Sequence, residues 1–325
     1  MNHRAIKSGV RRTHVVSRRG FGVVVTLVAL IAGWAINASY AQEVFQGDEG
    51  STPYTHLRFQ NDPDNFQFAV IGDRSGGHRP GVFSAAVDLL NLLRPEFVMS
   101  VGDFIEGYVE GDGENEAEVV KGQWAEIDDL LEPLKMPLFF VTGNHDVNFE
   151  PSEKAWFDRV GAKRGYSHFV YKDVLFLMLS TEDPPKKVVE LELADTYHAI
   201  KTGELMDTEE ILETIVELEA WAGQVNISDA QVDYFAKVLA DHSKVRWTIA
   251  FMHTPCWEQK DPRNFTRIEA LLADRPYTVF AGHTHTYKHT RRKGRDYITM
   301  GMTGAGVQQT DSVGNMDHVA WVTMT

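Results

Sequence analysis

A single cysteine, Cys256, stands among 325 residues, so no internal disulfide can staple the chain and its fold must rest on core packing. Cations are scarce as well. The chain carries 32 Lys and Arg against 46 Asp and Glu, a formal charge of −14. Six of those cations (Arg4, Lys7, Arg11, Arg12, Arg18 and Arg19) fall within residues 1–41, where no carboxylate occurs. Past residue 41 the balance is 26 basic to 46 acidic, or −20. This surplus argues against bulk nucleic-acid binding, which rests on clustered Lys and Arg facing the phosphate backbone. After the leader, no apolar run is long enough to cross a bilayer. No strand-like run leads into GxGxxG, which argues against a Rossmann-type nucleotide enzyme. Internal repeats and low-complexity tracts are lacking too, and the composition, 43% apolar and 24% charged, is that of an ordinary globular protein.

The basic leader is followed by an apolar run from Phe21 to Ala35 and then by Ala38, Ser39, Tyr40 and Ala41. Small residues thus stand one and three positions before Gln42, the layout of a secretory signal peptide. Ser17, Arg18, Arg19, Gly20 and Phe21 look like the twin-arginine variant, which exports proteins already folded. Residues 1–41 are therefore expected to be a signal peptide, 42–64 a leader segment, and the destination periplasmic or secreted. Retained instead, an apolar run of about 15 to 17 residues would act as a membrane anchor just under spanning length.

From residue 66 onward one pattern recurs: a short apolar run, a glycine turn, polar residues, then an amphipathic stretch. Phe66 to Ile71 reads as a strand leading into Gly72 and Asp73, and Phe97 to Val101 as one leading into Gly102 and Asp103. Leu138 to Val141 leads into Gly143, Asn144, His145 and Asp146. Trp247 to Phe251 leads into His253, and Tyr277 to Phe280 into Gly282, His283, Thr284 and His285. Between the first two strands, Val82, Phe83, Ala86, Leu90 and Leu93 mark a helical face; between the next two, Val119, Trp124, Ile127, Leu130 and Leu131 mark another. Such alternation favours an α/β fold with a largely parallel sheet, whose ligand site gathers beyond the carboxyl ends of the strands. Tyr166 to Thr181 reads as a hairpin turning at Lys172 and Asp173. Residues 183–227 form an acidic, helix-prone insert, either a lid over the strand ends or a solvated helix on the side of the core. The chain stops just after a strand-like run, Val319 to Met324, which leaves open a C-terminal element that extends further.

Two aspartates, an Asn-His-Asp run, a lone histidine and a spaced histidine pair therefore end the five strands. Carboxylate and imidazole donors without thiolate suit Mn, Fe or Zn, whereas oxygens alone would point to Mg or Ca. A shared carboxylate can bridge two ions, and two cations about 3.5–4 Å apart form a clamp for phosphoryl transfer. The order GD (72–73), GDxxE (102–106), GNHD (143–146), His253 and GHTH (282–285) resembles the calcineurin-like metallophosphoesterase superfamily over residues 65–305. That resemblance implies an αββα sandwich of two mixed β-sheets flanked by helices, occupying residues 65–325. It implies two divalent or trivalent metal ions and a phosphate mono- or diester substrate, attacked by a metal-bound hydroxide. Asp103 would bridge the ions, Asn144, His253 and His283 would complete one site, and Asp73 and His285 would belong to the other. His145 would be the general acid, with Asp146 orienting and charging its imidazole.

One departure bears on the metals. The superfamily commonly carries D-x-H at the first motif, where this chain has Asp73, Arg74 and Ser75, so one site lacks a ligand. The purple acid phosphatases, a branch of the superfamily, also lack that histidine and use a tyrosine three residues after the bridging aspartate; here that position is Glu106. Glu106 is thus a candidate ligand or an acceptor just outside the metals, and His78 is a further substitute. Arg74 is a candidate fork for a substrate phosphate, with a surface ion pair as the alternative. Trp257 and Phe265 either wall the pocket or belong to the core. A non-catalytic extracytoplasmic binding protein with one structural metal is the rival to the enzyme.

Replacing Arg18 and Arg19 together by Lys should hold the chain in the cytoplasm, and N-terminal mass spectrometry of exported wild-type protein should find Gln42 first. An exported chain that still carries residues 1–41 would leave the anchor as the correct reading.

Overall fold

A computed structural model describes residues 64–107, 115–147, 150–161, 163–185, 225–260, 262–306 and 313–325. The expected signal peptide, the 42–64 segment apart from Asp64, and all of the acidic insert except its two ends lie outside the described residues.

Strand β1 (Phe66–Ile71) turns Phe66, Phe68 and Val70 to one side and Ala69 and Ile71 to the other, each set joining a separate buried cluster. Parallel to it run β2 (Phe97–Ser100) and the short β3 (Leu138–Phe139). The far edge is an antiparallel strand, β10 (Val319–Met324), giving the order β10-β1-β2-β3. A second sheet is built from β4 (Ser167–Tyr171), β5 (Val174–Met178), β6 (Trp247–Phe251), β7 (Tyr277–Ala281), β8 (Lys288–Arg292) and β9 (Arg295–Thr299). Its order is β4-β5-β6-β7-β9-β8.

The sheets face each other across a buried layer of Phe68, Phe97, Met99, Phe176, Phe251 and Phe280. Within it the Phe68 ring stacks on Phe97 with centroids 5.3 Å apart and meets Phe176 edge-on at 5.4 Å, both favoured aromatic geometries. Helices α1 (Val82–Leu93), α2 (Glu116–Leu131) and α3 (Glu150–Val160) cover the outer face of the first sheet through Phe83, Val87, Leu90, Trp124, Ile127 and Trp156. Helices α4 (Asp229–Asp241) and α5 (Arg263–Leu271) cover the second through Val232, Phe235, Phe265 and Ile268. The architecture is the αββα sandwich of two mixed sheets. Among the described residues no helix is long and apolar enough to cross a membrane.

Both sheets are mixed as expected: their inner pairs are parallel, and antiparallel pairs lie at the edges, β10 on β1 and the hairpins β4-β5 and β8-β9, whose two-residue turns force that pairing. Two details, the helical faces and the strand ends, differ from the sequence-based expectation. At the expected hairpin Lys172 and Asp173 both take positive φ, 44° and 61°, the backbone hand that matches strand twist. The buried helical stripes are shifted: Val87 is buried and Leu93 exposed in α1, and Val120 is buried while Val119 is exposed in α2. In α1 the stripe follows Phe83, Val87 and Leu90, a four-then-three spacing that keeps one face on the sheet. Strands β2 and β3 also stop early, at Ser100 and Phe139, so Val101 and Val141 already belong to the loops that build the site.

Phe68→Ala should lower stability by about 3–5 kcal/mol, the usual cost of emptying an aromatic site in a close-packed core. Leu92→Ala, on a side chain 78% exposed, should stay within about 0.5 kcal/mol. Urea unfolding of the two variants checks the contrast, and equal midpoints would refute the inter-sheet packing described above.

Candidate metal centre

The centre is assembled by tight loops just past β1, β2, β3, β6 and β7. Space is the first condition: a methyl on Gly143 would collide with the backbone N and Oδ1 of Asp103, and one on Gly282 would lie 2.6 Å from Asp73 Oδ2. Glycine lets both loops press against a carboxylate. Backbone hand is the second. Asp103, His283 and His285 all sit in the left-handed region, at φ 63°, 72° and 53°, a conformation costing roughly 1–2 kcal/mol per residue. Hydrogen bonds hold it. The buried Asp146 carboxylate accepts from the N–H groups of Asp103 (2.9 Å), Phe104 (2.8 Å) and Gly143 (3.0 Å), tying the loop after β2 to the loop after β3.

Side chains then converge. His253 Nε2 lies 2.9 Å from Asn144 Oδ1, 3.1 Å from Asp103 Oδ2 and 3.2 Å from His283 Nδ1. His283 Nδ1 is also 3.0 Å from Asn144 Oδ1. His253 is aimed from behind, its Nδ1 2.8 Å from the Val101 carbonyl, to which it donates. Asp73 Oδ1 accepts from the His283 backbone N–H at 2.7 Å and stands 3.9 Å from His285 Nε2. Asp73, Asp103 and His253 each bring one ligand atom within 4.8 Å of the others, and all three are buried.

Without a cation this packing is electrostatically awkward. Burial works against a proton on His253, but the charge and hydrogen bond of Asp103, with Asp73 beyond, raise it to about 10. Burial and the charged His253 push His283 down to about 3, so of the two imidazoles His253 carries the charge. Burial also raises Asp73 above the ordinary carboxylate range. Asp73 Oδ2 and His285 Nδ1 are buried without a hydrogen-bond partner, although buried polar atoms are almost always satisfied. Imidazole and carboxylate donors, crowded together with unsatisfied atoms among them, fit a metal ion.

Residues 66–287 match the family model of calcineurin-like phosphoesterases. The chain belongs to that family. A dimetal phosphatase from Danio rerio has the same fold at 16% identity and a TM-score of 0.51, covering 79% of this chain and 91% of its own. The GAP50 anchor of the Plasmodium inner membrane complex aligns at 15% identity and a TM-score of 0.49, over 80% of this chain and 81% of its own. No curated protein matches the chain at a significant level.

In this calcineurin-like phosphoesterase the structure brings Asp73, Asp103, Asn144, His253, His283 and His285 into one pocket, and it corrects three other expectations. Asp146 is not the partner of the His145 imidazole, because both its oxygens accept backbone N–H groups; His145 Nδ1 instead lies 2.6 Å from the Glu106 carbonyl. A carbonyl only accepts, so Nδ1 carries the proton and Nε2 turns toward Asp103 Oδ2, 4.0 Å away. Glu106 does not offer its carboxylate to the metals. It accepts from the N–H groups of Gly76 (3.0 Å), Gly77 (3.1 Å) and His78 (3.0 Å) and pairs with His78 Nδ1 at 2.9 Å. Arg74 turns away from the pocket: its buried guanidinium donates to the Phe104 carbonyl (3.1 Å) and to Glu126 of α2. Trp257 packs against Phe265 and Tyr297, which makes the aromatic pair core and not pocket wall. Sequence reasoning missed the Val101 and Glu106 carbonyls, and main-chain oxygens leave no residue-type signal to find.

Burial works to raise the Glu106 carboxyl, yet hydrogen bonds from His78 and Gly77 prevail and lower it from 4.5 to about 2. A carboxyl depressed on folding stabilises above its unfolded value and loses that contribution as pH falls through the folded one. Glu106→Gln should therefore cost about 1–3 kcal/mol at pH 7. Chemical denaturation should show the gap from wild type closing as pH drops from 4.5 toward about 2, and a gap independent of pH would refute the carboxylate's role.

Proposed function

We propose that the protein is an exported, metal-dependent phosphoesterase that hydrolyses phosphate mono- or diesters. The observation that carries this reading is the convergence of six donor side chains from five loops, with Asp103 between the two groups of donors. Family membership supports phosphoester hydrolysis, and the donor set suits two divalent or trivalent ions such as Mn, Fe or Zn. Bound there, such ions supply Lewis acidity toward phosphate oxygens and lower the pKa of water to about 7.

The chain's own residues do the rest. Asn144 Oδ1, within 3.0 Å of both His253 and His283, keeps the two imidazoles aimed at one point. Asp103 offers one oxygen to His253 while the other accepts the His145 backbone N–H at 3.0 Å, which places His145 at the rim of the centre. The Glu106 carbonyl holds the His145 proton on Nδ1, so Nε2 is the atom that faces the reacting side. Protonated there, His145 gives its Nε2 proton to the leaving oxygen as the ester bond breaks. The leader of residues 1–41 supports export to the periplasm or beyond. The surplus of carboxylates past residue 41 disfavours a polyanionic ester.

His145→Ala should keep its metal content and slow alkyl phosphate hydrolysis by about 10²- to 10⁴-fold. Nitrophenyl esters, whose leaving group needs less protonation, should slow less. Metal analysis alongside turnover of both ester types is the check. Unchanged alkyl ester turnover would remove His145 from the mechanism, while one tightly held ion and no turnover of any ester would favour the binding-protein alternative.

A further inference from the structure

The donor atoms are divided unequally between the two ends of the pocket. At one end Asp103 Oδ2, Asn144 Oδ1, His253 Nε2 and His283 Nδ1 form a chain of contacts of 3.1, 2.9, 3.0 and 3.2 Å. Ligands held about 2.0–2.2 Å from one ion sit roughly 3 Å apart when its bonds meet at right angles, and somewhat farther apart in a tetrahedron. Four donors are therefore spaced for an ion before it arrives, and the Val101 carbonyl already orients the central imidazole. Such preorganisation spares the site the entropy of gathering its ligands.

The other end is sparse. Asp73 and His285 stand 3.9 Å apart at their nearest paired atoms; Asp103 lies between this end and the first, and His253 of the first end comes 3.8 Å from Asp73 only through Nδ1, which already donates to the Val101 carbonyl. Two positions after Asp73 stands Ser75, fully buried, whose neutral hydroxyl has no partner. Its neighbour Gly76 presses on the His285 ring: a methyl there would come within 2.8 Å of Cε1. The charged and imidazole side chains that the sequence offered as substitutes are committed elsewhere. Glu106 is taken by Gly76, Gly77 and His78, His78 by Glu106, and Arg74 faces Glu126. Among the described residues, the carboxylates and imidazoles placed near the Asp73 end are those of Asp103, His285 and His253, the last with its Nδ1 spent on the Val101 carbonyl.

We infer that the two ends bind metal with unequal affinity. The Asp103, Asn144, His253 and His283 end retains its ion, and the Asp73 and His285 end exchanges its ion with the medium. This rests on the metal-dependent reading above, and it makes the supply of free metal outside the cell a control on how much of the protein holds both ions.

The test loads full-length protein with Mn²⁺, dialyses it against metal-free buffer, and counts ions by mass spectrometry before titrating Mn²⁺ back by calorimetry and electron paramagnetic resonance. One ion per chain should survive dialysis as an isolated six-line signal. A second should bind about 100-fold more weakly, at the upper end of what disturbing a metal's surroundings costs. Asp73→Asn should abolish the weak ion and spare the tight one, and Asn144→Ala should do the reverse. Ser75→Asp, which adds a carboxylate beside Asp73 with little bulk, should let two ions survive dialysis. Two ions retained equally by wild type would overturn the inequality and leave the phosphoesterase reading standing. No ion retained or titrated would overturn that reading itself.

Discussion

A carboxylate outside the donor set holds the centre together. Asp146 takes N–H groups from the loops after β2 and β3 at once, and by doing so keeps Asp103 in a left-handed backbone conformation that it would not choose alone. From that clamp the rest follows. One Asp103 oxygen receives the His145 N–H and the other reaches His253 on the second sheet. Gly143 makes the clamp possible because any side chain there would occupy the space of the Asp103 carboxylate.

Concentrating acid and imidazole in a dry pocket is destabilising in itself, since each buried ion must recover its lost hydration. The sandwich meets that cost with rigidity on both sides. Beneath the loops, rings from the two sheets interlock through Phe68, Phe97, Phe176 and Phe251, leaving the strand ends little room to drift apart. Within the pocket, the charged His253 compensates part of the carboxylate charge, and the remaining unsatisfied atoms, Asp73 Oδ2 and His285 Nδ1, mark where compensation is incomplete. A cation held there would link stability to metal affinity, because it would meet the same atoms that have no hydrogen-bond partner.

The first loop illustrates how polar residues beside a centre can serve the scaffold. Glu106 gathers three consecutive N–H groups of Gly76, Gly77 and His78, while its own carbonyl sets the His145 tautomer. Arg74 braces the same loops from the outside against α2. Neither reaches the donors, yet both fix the walls against which the donors are aimed.

The strands, their glycine turns and the residue types that end them were legible in the sequence, because hydrophobic alternation and turn chemistry are local properties of a few neighbouring residues. GD, GDxxE, GNHD, the lone His253 and GHTH, each after an apolar run, together named the donors that the fold collects in one pocket. Partner choice was not legible. Arg74 and Glu126 lie 52 positions apart, His145 and Glu106 lie 39 apart, and Asp146 reaches back 43 to Asp103. The sequence by itself determined which side chains stand at the strand ends and what ions they suit. Only the tertiary structure decided which of them face one another and which are spent on backbone N–H groups and carbonyls. Those pairings arise where loops from neighbouring strands meet one another and a covering helix, and a main-chain atom looks the same at every position in the sequence.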